Sequence, residues 1–376
     1  MSATHTAGNT ATVFHTDFPD FDFHEQVVLV SDRASGLQAI IAVHDTTLGP
    51  ALGGCRMWPY ATTADALTDV LRLSRGMSYK AAIAGLPLGG GKSVVIADSR
   101  EEHKSPDALR AKLVALGRAI DRLGGRYITA EDVGTSPDDM AQVREGTRHV
   151  AGIAPEQGGL GDPSPMTALG AFVGIQAAVK HHLQRDDLRG LTVAVQGLGH
   201  VGMDLARQLH EAGARLIVSD PVASRLEYAA LHYGAQAVAL DAVHAVACDV
   251  FAPCALGAVI NPQTVDAIAA RVVAGAANNQ LSVPEMGDRL HARGILYAPD
   301  YVINAGGLIK VCAEYFRTDA SKLERDVRAI HDTLLAIFAQ STQRGEPTHA
   351  TADRLARERI AQGGAQRSAT LHKLAA

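Results

Sequence analysis

Two periods of apolar residues alternate along the chain. Short runs rich in Val and Ile, bounded by turn formers, predict strands at residues 26–30 and 37–43. The segment 49–58, GPALGGCRMW, is too glycine-rich for a helix and is a candidate for close backbone approach to a ligand. Thr62 and Asp65 then open a helix whose Leu67, Val70, Leu71 and Ser74 share one face, up to Gly76. Ser105 and Pro106 cap a second helix carrying Leu109, Leu113, Leu116 and Ile120, which Gly124 and Gly125 stop. A short strand at 127–130 delivers Glu131 and Asp132 to its C-terminal end. The glycine and proline cluster at 157–165 reads as a hinge, followed by a helix over 167–182. Six further apolar runs, at 191–195, 216–218, 235–240, 250–252, 272–274 and 295–297, alternate with helical or loop segments, as a doubly wound parallel sheet requires. Two amphipathic helices, 320–340 and 351–361, follow, split at Gly345 and Pro347.

The stretch 191–220 organises the second half. It reads strand, Gly197, Gly199 and Gly202, a helix with Val201, Leu205 and Leu209 on one face, a second strand, and then Asp220. A Rossmann-type dinucleotide site needs that order: the first glycine permits the turn, the second admits a pyrophosphate, and the third packs helix on strand. The helix N-terminus supplies free amides and partial positive charge. Asp220 accepts ribose hydroxyls and repels a 2′-phosphate, which favours NAD over NADP; Arg225, close downstream, softens that preference.

A chain of 376 residues accommodates about two domains. The expected organisation is an α/β domain over 1–151, with 348–376 returning to it, and an NAD-binding domain over 152–347. The active site is expected in the cleft between them. A formal charge of −5 gives no electrostatic footprint for nucleic acid or an anionic membrane. Four cysteines without C-x-x-C spacing suit reduced thiols, residues 1–13 lack an apolar leader core, and no apolar stretch is long enough to span a bilayer, so the expected setting is cytoplasmic.

Three near-motifs fail. GGGKS has Leu86 where a P-loop needs glycine, HEQVV lacks the second histidine of H-E-x-x-H, and GMSYK has Lys80 where a nucleophile elbow needs glycine. Scattered histidines such as His149, His181 and His182 read as surface or core residues, and no metal is expected. What remains is Lys80, Lys92 and Asp132 in apolar neighbourhoods. Two ammonium groups close together in low dielectric disfavour being charged at once, so one serves as a base near neutrality and the other holds an anionic substrate group.

The blocks GPALGGCRMWPY, SRGMSYKAAIAGLPLGGGKSVVIAD, GRYITAEDVGTSPDDM, DVFAPCALGAVI, VVAGAANNQL and GILYAPDYVINAGGLIKV, with the dinucleotide stretch, closely resemble the NAD-dependent glutamate, leucine, phenylalanine and valine dehydrogenases, over nearly the whole chain. The leucine-type members are the most similar. The resemblance implies oxidative deamination of an L-amino acid to its 2-oxo acid and ammonia. It implies that Lys80 holds the substrate carboxylate, Lys92 activates the water that attacks the imine, and Asp132 relays protons. It places Asn279 and Asn304 at substrate and nicotinamide ribose and Thr167 at the carboxamide. The cofactor turn is Gly197, Leu198, Gly199, His200, Val201 and Gly202, with Asp220 and the loop Cys254, Ala255 and Leu256 beside the cofactor. It also implies assembly into dimers to octamers.

Glutamate-specific members carry lysine immediately before the glycine pair, where this chain has Leu52 before Gly53 and Gly54. Val311 replaces a further polar group, and with Met77, Ala130 and Leu308 it makes the side-chain pocket apolar. Leucine, isoleucine and valine should therefore share one site. Leu308 stands where leucine-type members usually carry valine, which keeps phenylalanine, valine and tryptophan as alternative substrates. Two other classes, an NAD-binding regulator without catalysis and a 2-hydroxy-acid oxidation, are separated from this reading by turnover and by ammonia dependence.

Overall fold

The computed structural model describes residue 18 and residues 20–98 and 105–375; the leader reading of residues 1–13 lies outside them. The chain divides into two compact units, residues up to 78 with 89–150, and residues 79–88 with 151–376. Among the described residues, no helix is long and apolar enough to cross a membrane.

In the first unit, β1 (Gln26–Asp32), β2 (Leu37–Asp45), β3 (Ala51–Trp58), β4 (Gly89–Ile96) and β5 (Tyr127–Glu131) form one mixed sheet in the order β1-β2-β4-β3-β5. β3 runs parallel to both β4 and β5, whereas β2 is antiparallel to β1 and β4. Helix α1 (Thr63–Ile83) lays Ala66, Val70 and Leu71 against Ile40, Ala42 and Val94 of the sheet. Strand alternation turns Ile41 and Val43 to the opposite face. Helix α2 (Pro106–Asp121), capped by the Ser105 side chain on the Ala108 amide, buries Leu113, Leu116 and Ile120, and α3 (Pro137–Arg144) carries a full capping box at Ser136.

The glycine-rich segment 49–58, expected not to be helical, holds the interior strand β3, and its glycines admit neighbouring backbone: a Cβ at Gly53 would lie 1.7 Å from the Gly91 carbonyl oxygen. One expectation changes: helix α1 does not stop at Gly76 but runs on to Ile83, which puts Met77 and Lys80 on a helix.

The second unit opens with α4 (Ser164–Ala178) and holds six parallel strands: β6 (Thr192–Gln196), β7 (Arg215–Ser219), β8 (Gln236–Ala237), β9 (Val250–Pro253), β10 (Val272–Val273) and β11 (Leu296–Tyr297). Their order, β11-β10-β9-β6-β7-β8, is the doubly wound one, reversing between β6 and β9. Ala194, Phe251, Val273, Met286, Leu290 and Tyr297 lie in one buried core. Helices α5 (His200–Glu211), α6 (Ala223–Tyr233), α7 (Glu285–Ala292), α8 (Asp300–Ile303), α9 (Gly306–Phe316), α10 (Ala320–Arg328), α11 (Ile330–Arg344) and α12 (Thr348–Ala375) complete the unit.

The expected hinge at 157–165 lies inside this unit, beginning seven positions past residue 150, where the units divide, and is pinned there. Glu314 Oε1 accepts the Gly152 and Ile153 amides at 2.8 and 3.3 Å, and Oε2 accepts Leu160 at 2.8 Å. The final helix, expected to return to the first domain, groups with the second unit. There Arg359 Nη1 donates to the Ala82 carbonyl at 3.1 Å and Arg357 Nε to the Tyr79 hydroxyl at 2.9 Å, so it grips the end of α1.

Candidate functional site

Strand register brings the charged residues of the first unit together. Residues on one face of parallel neighbours line up across the sheet: Arg56 pairs with Val94 in one row, which Asp132 continues one residue past the end of β5, and Gly54 pairs with Ala130 in the row beside it, with Lys92 two positions before Val94 on the same face of β4. Gly54 lets the end of β5 approach closely. A Cβ there would lie 2.7 Å from both the Asp132 Cβ and the Glu131 carbonyl oxygen. Lys92, only 5% exposed, thus places Nζ 2.8 Å from Asp132 Oδ2. Arg56 Nε reaches the same oxygen at 3.0 Å, its Nη1 meets Asp69 at 2.9 Å, and the Tyr60 hydroxyl donates to Asp69 at 2.5 Å. Burial alone would raise the Asp132 carboxyl, but the Lys92 ammonium and the Arg56 guanidinium outweigh it and hold it below the usual carboxylate value. The charge facing Lys92 is therefore a carboxylate.

The glycines before Lys92 fix its position. A Cβ at Gly90 would lie 2.0 Å from the Ser78 amide nitrogen of α1, and one at Gly91 2.6 Å from the Tyr127 ring. Tyr127 is fully buried beneath the glycine pair and donates to the Gly53 carbonyl at 2.8 Å. Thr135 braces the acid from the other side, its hydroxyl accepting the Asp132 amide at 3.0 Å and donating to the Cys55 carbonyl at 2.9 Å. Leu52 and Ala130 are buried on β3 and β5. Lys92 lies within a strand, so GGGKS is no P-loop, and His24 is structural, bonding the Leu71 carbonyl and the Ser74 hydroxyl.

In the second unit, the glycine turn joins β6 to α5 at the point where strand order reverses. Gly197 has φ +91° and packs on Ala255, and a Cβ at Gly202 would lie 1.9 Å from the Gly197 carbonyl oxygen. At Gly199 a Cβ would meet no heavy atom within 4 Å, and no side chain caps α5. Open space and uncapped amides together are what a pyrophosphate needs, so the turn fits a dinucleotide. Asp220, at the end of β7, is buried; it accepts the Leu198 amide at 2.6 Å and the Val222 amide at 2.8 Å, with Arg225 3.5 Å away. It therefore braces the turn.

Cys254, whose amide donates to the Gln196 carbonyl at 2.7 Å, and Ala255 border the turn, while Leu256 is 84% exposed. His200 opens α5, exposed, its Nδ1 3.3 Å from Asp162, and Val201 follows it on the helix. Thr167 donates to the Pro163 carbonyl at 3.1 Å on α4, and its Oγ1 would lie 2.8 Å from a Cβ at Gly307. Leu308 and Val311 sit on α9, and Asn279 takes a left-handed φ of +52°.

Lys80 groups with this unit, its Nζ 2.6 Å from Asn304 Oδ1. Asn304 Nδ2 in turn donates to Asn278 Oδ1 at 2.7 Å and the Ala276 carbonyl at 3.2 Å. Arg56, Asp69, Tyr60 and Asn278 were not foreseen. Period-two alternation from Gly54 would have pointed to Arg56, had segment 49–58 been read as a strand. Among the described residues, no group of three or more His, Cys, Asp or Glu side chains is placed to hold a metal.

Comparison with known proteins agrees with this architecture. Residues 22–149 match the family described as Glu/Leu/Phe/Val dehydrogenase, dimerisation domain, and residues 158–223 and 223–367 match Glutamate/Leucine/Phenylalanine/Valine dehydrogenase. The leucine dehydrogenase of Geobacillus stearothermophilus is 50% identical over 337 residues, 90% of this chain and 90% of that protein. The valine dehydrogenase of Streptomyces albus is 48% identical over 371 residues, 97% of this chain and 100% of that protein. The crystal structure of L-tryptophan dehydrogenase from Nostoc punctiforme matches with a TM-score of 0.81 at 45% identity, covering 93% of this chain and 99% of that one.

Proposed function

We propose that this chain, which belongs to the Glu/Leu/Phe/Val dehydrogenase family, oxidatively deaminates an apolar L-amino acid, leucine foremost, to the 2-oxo acid and ammonia with NAD as hydride acceptor. The observation that carries the reading is the Lys92–Asp132 pair at 2.8 Å, which puts a proton donor and a proton acceptor in direct contact in a buried strand row. Asp132, held ionised by two cations, accepts a proton from the substrate ammonium and returns one to the departing amine. Lys92, after releasing its own proton to solvent, draws one from the water that attacks the imine carbon, and once Asp132 has returned its proton to the amine the short contact passes the Lys92 proton to the freed carboxylate. Lys80, oriented by the Asn304 amide oxygen, holds the substrate carboxylate.

NAD supplies the acceptor for the hydride that leaves the substrate α-carbon. The amides of Gly199, His200, Val201 and Gly202 would hold its pyrophosphate and Asp220 its ribose hydroxyls, with the Leu198 amide already tied to Asp220 to shape the turn. Thr167, Asn279, Asn304 and the loop Cys254, Ala255 and Leu256 orient the nicotinamide half. Leu52, Met77, Ala130, Leu308 and Val311, with Gly53 and Gly54, receive the substrate side chain. None of them offers a counter-charge to a second carboxylate, and burying one unpaired costs several kcal/mol, which excludes glutamate.

We also read the working enzyme as a homo-oligomer. β1 is an edge strand with Leu29 70% exposed, and the residues around it match a dimerisation domain. Its four free thiols are what a reducing compartment maintains, so we place it in the cytoplasm. The test is a kcat/KM panel over leucine, isoleucine, valine, phenylalanine, tryptophan and glutamate with NAD and NADP. Leucine with NAD should lead and glutamate should fail; tryptophan in first place would move the reading to the aromatic members, and no turnover at all would refute it.

A further inference from the structure

We propose that Arg56 is a positioning residue of the reaction: its guanidinium holds the Asp132 carboxylate in register with Lys92 and supplies a fixed positive charge that keeps this pair able to accept a proton. The proposal rests on the roles given above to Lys92 and Asp132. Nothing in those roles requires a second cation, yet the fold builds one in. Arg56 stands between Val94 and Asp132 in the strand row, so it meets the acid side-on without displacing Lys92.

The planar fork of arginine is used in two directions. Nε takes Asp132 at 3.0 Å, and Nη1 takes the two Asp69 oxygens at 3.3 and 2.9 Å. The Tyr60 hydroxyl locks Asp69 at 2.5 Å, and the Tyr60 amide is tied to the Trp58 carbonyl at 3.0 Å. The brace therefore links β3, the turn that follows it, helix α1 and the end of β5. A lysine ammonium is a point charge on a flexible stem and cannot hold two carboxylates through two sides of a plane. Exposed pairs of this kind contribute little, but here the side chains of Lys92, Arg56, Asp132 and Asp69 are 6, 22, 22 and 28% exposed, so the charges act through poorly screened space.

The charged groups that face Asp132 are Lys92 from β4 and Arg56 from β3, with Asp69 of α1 behind Arg56. Burial pushes the Cys55 thiol up to about 12 and raises the Tyr127 phenol, while burial and Asp69 raise that of Tyr60, so these neighbours stay neutral. Two cations thus oppose two carboxylates. Removing Arg56 leaves one net negative charge, and every nearby group then holds its proton more tightly. The acid limb of a pH–rate profile must move to higher pH, whichever member of the coupled Lys92–Asp132 pair it reports.

The experiment measures kcat and kcat/KM for leucine against pH at saturating NAD in wild type, Arg56→Gln, Arg56→Lys and Tyr60→Phe, with NAD affinity and far-UV circular dichroism as controls. Arg56→Gln should lose roughly 100-fold in kcat and shift the acid limb up by about one pH unit, with NAD affinity within about twofold of wild type. Arg56→Lys should keep the limb in place while losing about tenfold in kcat, because it retains charge without the fork. A limb in Arg56→Gln that superimposes on wild type, or equal losses and limbs in the Lys and Gln variants, overturns the proposal. If Arg56→Gln fails to fold, Tyr60→Phe decides: kcat should fall with an unmoved limb, and an unchanged kcat overturns it. If wild type deaminates no amino acid, the functional reading fails by itself. The titration of the Asp132 carboxyl carbon by 13C NMR then decides for Arg56, whose replacement must raise the midpoint.

Discussion

Replacing Asp132 by asparagine preserves size and removes the one negative charge on which two cations converge. Lys92 is 5% exposed and loses its counter-charge at 2.8 Å, whereas Arg56 keeps Asp69 at 2.9 Å and is not orphaned. Removing one partner from a buried pair costs roughly 3–5 kcal/mol. Because one cation of the two is stranded, and the Asp132 side chain retains 22% exposure, the expected loss lies at the lower end, about 3 kcal/mol. Its pH dependence has a definite sign. The native carboxyl lies below its ordinary value, so the stabilisation is fully present above the unfolded-state value near 3.9 and is lost as pH falls through the lower native value. Wild-type and variant urea curves should therefore be separated by about 3 kcal/mol at neutral pH and converge as the pH drops below about 4. Trp58, the chain's single tryptophan, lies on β3 two positions beyond Arg56 and reports the unfolding of this unit by fluorescence. Deamination should fall by roughly 10²–10⁴ at the same time. A stability deficit as large at pH 3 as at pH 7 would refute the ion-pair reasoning, since it would have to come from packing.

The glycine turn offers a test in which binding and folding separate. Gly202→Ala must push a Cβ into the Gly197 carbonyl at 1.9 Å and should lower both Tm and NAD affinity; Gly199→Ala has open space in the free chain, so it should leave Tm unchanged while weakening NAD by roughly tenfold, checked by calorimetry. Tight NAD binding by Gly199→Ala would place the pyrophosphate elsewhere. Lys80→Ala removes a charged contact worth roughly 1.5–3 kcal/mol, so KM for leucine should rise about 10- to 100-fold with a much smaller change in NAD affinity; an unchanged KM counts against its carboxylate role. Leu52→Lys should destabilise the free enzyme, because Leu52 is 2% exposed, and should open measurable glutamate turnover; a variant that still excludes glutamate shows that residue 52 does not face the substrate side chain.

The second unit was the more legible of the two. All six of its predicted strands are present, in the doubly wound order, because parallel buried strands read as continuous apolar runs and each carries its own turn formers. The first unit hid one of its interior strands, β3. Glycine is a poor strand former, and three of the first four residues of GPALGGC after Pro50 are small or glycine; packing against β4 and β5, not propensity, makes the segment extended. Gly76 misled in the opposite sense. A Cβ there would meet nothing within 4 Å, so this glycine carries only a propensity cost of about 1 kcal/mol, and tertiary packing takes α1 through it.

The weak strand signal of 49–58 also decides which chemical residues stand out in the sequence. Lys80, Lys92 and Asp132 stand out because charge among apolar neighbours is visible one residue at a time. Arg56 and Asp69 are ordinary charges in a linear reading; Arg56 becomes the partner of Asp132, and Asp69 that of Arg56, only when Gly54 and Arg56 are known to alternate on one face of a strand lying between β4 and β5. The acid site is thus set as much by a missing side chain as by those present: any residue larger than glycine at 54 would press on the Asp132 Cβ and the Glu131 carbonyl oxygen, both at 2.7 Å. Asp220 follows a related logic. Its position at the end of a strand makes it an expected ribose acceptor in sequence, and its contacts with the Leu198 and Val222 amides show it holding the turn in shape, so a substitution there, made to test cofactor choice, disturbs turn geometry as well. Cofactor preference in this chain therefore has to be separated from the turn's own stability, which Arg225 permits, since it touches Asp220 at 3.5 Å and lies outside the backbone contacts that brace it.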